Sequence, residues 1–142
     1  MTKAPTAYID RHVRIPSDPA LIPDIVAEVS ELLATQQFQK SEVDGVKHAL
    51  NEALVNSVVH GNAERKTKHV LITYALCGGE FRIRIQDQGA GFSPSNIANP
   101  LDESNLLQPH GRGVFMMRKF MDHVEFNNTG NCVTMIKRLT TP

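Results

Sequence analysis

An excess of basic charge is missing from this sequence. Fifteen Lys and Arg are matched by fifteen Asp and Glu, for a formal net charge of zero, whereas a nucleic-acid binder normally carries a basic surplus. No apolar run approaches the length of a membrane span, and the opening MTKAPTAYIDRH has no apolar h-region. Cysteine is scarce. Cys77 and Cys132 stand alone without CxxC spacing, which argues against a disulfide framework or a zinc site and fits reduced thiols in the cytoplasm. Internal repeats, low-complexity tracts and linkers are absent too. What is present is a 142-residue chain, 41% apolar and 21% charged, proportions that separate a folded chain from a disordered one. The length suits one domain over residues 1–142 with a core of useful size. The expectation is a soluble cytoplasmic protein with no membrane contact and no direct nucleic-acid contact.

Periodicity then orders the elements. A short strand around His12–Ile15 comes first, and Pro19 opens a helix whose apolar residues Ile22, Ile25, Val26, Val29, Leu32 and Leu33 keep three/four spacing. Ser41 and Asp44 resemble a capping box with Asp in place of the usual Glu, which starts a second helix running to about His60 and stopped by Gly61-Asn62. Val70–Leu76, Gly78-Gly79 and the alternation of Phe81, Ile83 and Ile85 with polar residues predict a hairpin. Residues 93–108, rich in Ser, Asn and Pro, have no clean period. Val114–Met121 reads as a helix opened by Gly111-Arg112-Gly113, with Met116, Met117 and Met121 as its core packing, and Val124–Phe126 with Cys132–Leu139 makes a closing hairpin. Strands that pair as neighbouring hairpins point to an α+β sandwich rather than a doubly wound sheet.

Three short motifs could carry chemistry. Glu52, Asn56 and His60 recur every four residues, on one side of the second helix and away from the stripe of Val43, Val46, Leu50 and Leu54. The carboxylate could polarise a hydroxyl or water, and the amide oxygen could hold a hard cation such as magnesium; an exposed polar stripe is the ordinary alternative. Asp87-Gln88-Gly89-Ala90-Gly91 follows a strand directly, so its Asp could accept from an exocyclic amine while the glycines permit close backbone approach. A plain turn after a strand would look the same. His110-Gly111-Arg112-Gly113-Val114 places two glycines at the mouth of a helix, where free N–H groups suit a phosphate. Neither GxGxxG nor a phosphate loop ending in Gly-Lys-Ser/Thr is present, since Met116 stands where a third glycine would fall.

In this order, an ExxxN helix, DxGxG after a strand and GxG before a helix resemble the ATP-binding domain shared by type II topoisomerases, heat-shock chaperone ATPases and sensor histidine kinases. The likeness runs from about Ser41 to Leu139, and NEALVNSVVHGN, DQGAGF and GRGVFMMRKFMDHVEF are most similar to the bacterial anti-sigma factor serine/threonine kinases. The resemblance implies a two-layer, Bergerat-type α/β sandwich with a mostly antiparallel sheet and helices on one face. It implies Glu52 as general base, Asn56 as a magnesium ligand and Asp87 as the reader of adenine. Gly89 and Gly91 would shape the nucleotide pocket, and Gly111 and Gly113 would let backbone amides reach the phosphates. His60, His110, Arg112 and Val114 complete the implied binding set, with Ser93 to His110 as a lid. Where relatives often carry a basic residue before the second glycine pair, this chain has Leu107-Gln108-Pro109-His110, and His110 is mostly neutral near pH 7. The implied cofactors are ATP and Mg2+; the implied partners are a sigma factor, a STAS-domain antagonist and a second copy in a homodimer. A module that binds nucleotide and sequesters a partner without phosphate transfer is the alternative.

Overall fold

The computed structural model describes residues 8–90 and 109–142. In chain order they form β1 (Tyr8–Pro16), a 3-10 turn (Pro19–Leu21), α1 (Ile22–Thr35), α2 (Lys40–Val55), a π-helical turn (Asn56–Gly61), β2 (His69–Cys77), β3 (Glu80–Gln86), α3 (Pro109–Phe120), β4 (His123–Phe126) and β5 (Cys132–Arg138). The strands make one sheet in the order β1-β2-β3-β5-β4, every neighbouring pair antiparallel. The α+β class and the antiparallel sheet with helices on one face are as expected from the sequence.

Alternation decides which face of the sheet is buried. In β2, Val70, Ile72, Tyr74 and Leu76 are buried, and in β3 so are Phe81, Ile83 and Ile85, while the residues between them reach solvent. Register stacks these into rows, Ile72 beside Ile85, Tyr74 beside Ile83 and Leu76 beside Phe81. Against them pack Val29 and Leu33 of α1, Val46, Leu50 and Leu54 of α2, and Met117 of α3. Each such side chain contributes roughly 1.5–3 kcal/mol through its burial. Met117 and Met121 are buried as expected of core residues. Gly78, at φ 63, makes the β2–β3 turn, and a Cβ on Gly79 would lie 2.6 Å from the Leu139 carbonyl oxygen.

Several local expectations are corrected. The capping box does not form. α2 begins at Lys40, so Ser41 lies inside its first turn, the capping position falls on Gln39, and Asp44 pairs instead with Lys40 at 2.8 Å. The chain's far end covers the helix start: the Gln39 N–H donates to the Thr140 carbonyl and the Thr140 N–H to Glu42 Oε2. At its other end α2 does not stay α-helical to His60. It passes into the π turn, closed by the Asn62 N–H donating to the Ser57 carbonyl five residues back. α3 starts at Pro109, so Gly111 and Gly113 sit within its first turns rather than before it; proline at the first position, with φ preset, suits such a start. Cys77 is exposed, Cys132 buried, and both are free thiols. Among the described residues, no helix is long and apolar enough to cross a membrane.

Candidate functional site

The last turn of α2 and the π turn bring one polar column to the end of β3. Asn56 is 8% exposed and Asp87 6%, whereas Glu52 and His60 are half-buried, so the column is not a solvated stripe. Asn56 Nδ2 is buried without a hydrogen-bond partner. An unpaired buried amide of this kind costs about 1–3 kcal/mol unless something arrives to meet it. Asn56, His60 and Asp87 line one pocket of about 150 Å³, floored by Met117, Phe126 and Val133 and flanked by Ser57, Gly61 and the β4–β5 connection at Gly130-Asn131. Whole ligand sites span roughly 300–1,000 Å³, so the described part suits one end of a larger molecule, such as a base.

The glycines are placed by close approach. A Cβ on Gly61 would lie 2.5 Å from Asp87 Oδ2, and one on Gly89 would lie 2.1 Å from the Gly61 carbonyl oxygen. The π turn and the loop after β3 thus meet backbone to backbone, and only glycine permits it. A Cβ on Gly113 would lie 3.3 Å from the Asn56 amide and 3.4 Å from Glu52 Oε2. The start of α3 therefore lies over both residues and joins Glu52, which is outside the lining of the pocket proper, to the same locality.

Asp87 is held by the Gly89 N–H at 2.8 Å and by the Ser57 hydroxyl, and Lys68 adds a favourable charge. Burial outweighs all three and pushes its carboxyl above the usual range near 3.8. The fold therefore favours the neutral acid. The stability this contributes is complete below the ordinary carboxylate pKa and is lost as pH rises through the elevated one. Asp87→Asn, permanently neutral, is expected to melt above the wild-type protein at pH 7 in the absence of nucleotide. The gap should narrow as thermal melts are repeated toward pH 4; a constant gap would mean that ionisation is not its source.

In the sequence Asn62 closes the first motif and stops a helix; in the fold it is fully buried and ties three segments together. Its Nδ2 donates to Ser17 Oγ at 2.8 Å and to the His69 carbonyl at 3.0 Å, and its Oδ1 accepts from the Gln88 N–H at 2.7 Å. That tie was missed, as was Ser57. A polar residue next to a glycine at the end of a polar column was the available signal. Val114 is buried beside this region but does not line the pocket. Gly91 and residues 93–108 of the expected lid lie outside the described residues, its last two fall in α3, and of Pro109, His110, Gly111 and Arg112 only the helical backbone is described. Among the described residues no three His, Cys, Asp or Glu cluster as a metal cage. Magnesium that rides on phosphate oxygens needs only one or two protein ligands, and Asn56 would offer its Oδ1 for that role, while its unpartnered Nδ2, a donor, suits an acceptor such as a phosphate oxygen.

Comparison with known proteins agrees with this geometry. The family described as the histidine kinase-like ATPase domain matches residues 15–137. An anti-sigma F factor of Clostridium perfringens is 31% identical over 118 residues, covering 80% of this chain and 84% of that one. The serine-protein kinase RsbW of Bacillus subtilis is 26% identical over 145 residues, covering 93% and 86%. Among solved structures, the RsbU and RsbW domains of a Mycobacterium tuberculosis protein superpose with a TM-score of 0.68 at 20% identity. That likeness, which shows the fold, covers 94% of this chain but 33% of the longer one.

Proposed function

This chain belongs to the histidine kinase-like ATPase domain family, and from that membership we infer that it is an ATP-binding anti-sigma factor with serine/threonine protein kinase activity, acting by partner switching. The observation that supports this most is that Asn56 and Asp87 line one pocket, with Gly61 and Gly89 closed on Asp87 and Gly113 over both Asn56 and Glu52. We take residues 1–142 as one such domain, working in the cytoplasm as a homodimer, with a sigma factor and a STAS-domain antagonist as its partners.

Each residue has a part in this reading. Asp87 accepts a hydrogen bond from the exocyclic amine of adenine. Its ionised form is the better acceptor, so nucleotide binding uses the charge that the empty fold disfavours. Asp87→Asn is therefore expected to weaken ATP binding by about tenfold or more, as read by calorimetry, even as it stabilises the empty protein. Gly61 and Gly89 keep that carboxylate aligned. The first turns of α3, with Gly113 over Asn56 and Glu52, offer backbone N–H groups to the phosphates. Glu52 orients the acceptor serine or threonine hydroxyl and takes its proton. Asn56 would hold Mg2+, which when bound neutralises charge across the phosphate oxygens. Most of the rate then derives from positioning and preorganised electrostatics.

The test is transfer of labelled γ-phosphate from Mg-ATP to proteins of the host lysate. A single small labelled protein, present only with the active chain, is the expected result and identifies the antagonist. Tight ATP binding without any labelled band, in a lysate shown to hold unphosphorylated antagonist, would assign the chain to sequestration instead. The absence of a basic residue in Leu107-Gln108-Pro109-His110 would then be the first cause to examine.

A further inference from the structure

The sheet has a second face, turned away from the helices. Register places Asp10, Ala75, Arg82 and Ile136 in one row of it, and His12, Thr73, Arg84 and Thr134 in the next. Its permanent cations are all arginines (Arg14, Arg82, Arg84 and Arg138), and no strand position on it is lysine. Arg138 lies 4.0 Å from Glu80, and Arg14 hydrogen-bonds His69 Nδ1. Arg82 and Arg84 differ. Both are exposed, and among the described residues neither has a carboxylate within ion-pair distance. Arg84 donates its Nε to Cys132 Sγ at 3.1 Å, which steadies the side chain and leaves the terminal nitrogens for something else.

Two like charges two residues apart on one strand face stand about 7 Å from each other. They repel, and the chain supplies no anion between them. Small neighbours, Ala75, Thr73 and Thr134, leave a shallow groove beside the pair. Tyr8, 65% exposed, and Leu71, 45% exposed, lie on the same face. Arginine and tyrosine without lysine is the composition of protein interfaces rather than of ordinary solvated surface. Carboxylates at Asp10, Glu80 and Glu125 stand around the arginine pair. Asp10 lines the same groove and Glu80 and Glu125 flank it, so positive charge is confined to the pair, which suits two carboxylates rather than the unbroken charge of nucleic acid. A second copy docking about a twofold axis over this ridge would set arginine against arginine.

We propose that this outer sheet face docks an extended acidic segment of a protein partner, whose carboxylates at alternate positions meet Arg82 and Arg84. The spacing of residues i and i+2 in an extended chain matches that of the two guanidinium-bearing positions, and planar guanidinium groups suit paired carboxylate contacts. The proposal rests on the reading of the chain as a regulator that engages protein partners.

The test is a titration of the full chain, followed by backbone amide shifts, with a synthetic peptide of alternating Glu and Ser. Shifts are expected at Thr73, Arg82, Arg84 and Thr134, weakening with salt. The double variant Arg82→Ser with Arg84→Ser should bind the peptide at least about tenfold more weakly while keeping wild-type ATP affinity and phosphate transfer. Shifts confined to other surfaces, an equal response to a Lys-Ser peptide, or tighter binding of a short DNA duplex would each overturn the proposal. So would movement of the same amides with protein concentration alone, which would assign the face to a second copy. ATP binding measured on the same samples separates the two readings: if it is intact while the peptide fails to bind, only the docking face is lost.

Discussion

Glu52→Ala is expected to lower phosphate transfer at least about a hundredfold while nucleotide affinity stays within roughly threefold of wild type. The asymmetry follows from where Glu52 sits. It is half-buried, lies outside the lining of the pocket that holds Asp87, and reaches the locality only beside Gly113. Truncating it removes a proton acceptor but none of the groups proposed to grip the base. Single-turnover transfer and calorimetry on the same preparation measure the two quantities separately. Equal losses in both would make Glu52 a structural residue. Glu52→Gln refines the outcome: it keeps the shape and hydrogen-bonding reach but not the basicity, so it should track the alanine variant in transfer and the wild type in affinity.

The second large effect concerns stability. Asn62→Ala is expected to lower unfolding free energy by about 3 kcal/mol, or roughly 10 °C in Tm. Three side-chain hydrogen bonds disappear from a fully buried site, and the Gln88 N–H and the Ser17 hydroxyl each lose a partner there. Asn62→Asp keeps the acceptor for Gln88 but loses both donors and adds a buried charge, so it should be no better than alanine. Chemical denaturation measures the loss. A change below about 1 kcal/mol would show that water replaces the amide and that the loop after β3 is anchored by other contacts. Because Gln88 is adjacent to Asp87, the variant should also weaken nucleotide binding, which separates it from a remote core defect.

Most of the architecture was legible in the sequence because burial imposes its period. The hairpin of β2 and β3 announced itself through Gly78-Gly79 and strict alternation, and the Glu52–Asn56–His60 column through four-residue spacing. What escaped was whatever depends on distant chain. The start of α2 is covered by Thr140, 98 residues away, which no local capping rule can see. Asn62 draws its partners from Ser17, His69 and Gln88, so its neighbours in sequence mark its place beside Gly61 at the end of the polar column but not the segments it ties. The π turn adds one residue per hydrogen-bonded loop without changing residue type, and helical periodicity does not resolve that. The groups meeting beneath Gly113 were named from motif order, while their proximity could come only from folded geometry.

The order of strands in space also differs from their order in synthesis. Among the described elements β1 comes earliest in the chain, and in their sheet it pairs with β2 alone, with Arg14 and His69 meeting across 55 residues. At about 5–20 residues per second on the ribosome, the nascent Tyr8–Pro16 segment waits roughly 3–11 seconds for its partner strand. During that interval Ile9, Val13 and Ile15 are apolar surface without a sheet. α1 and α2 are made within that interval, and in the finished fold Ile15 shares one buried cluster with their apolar residues.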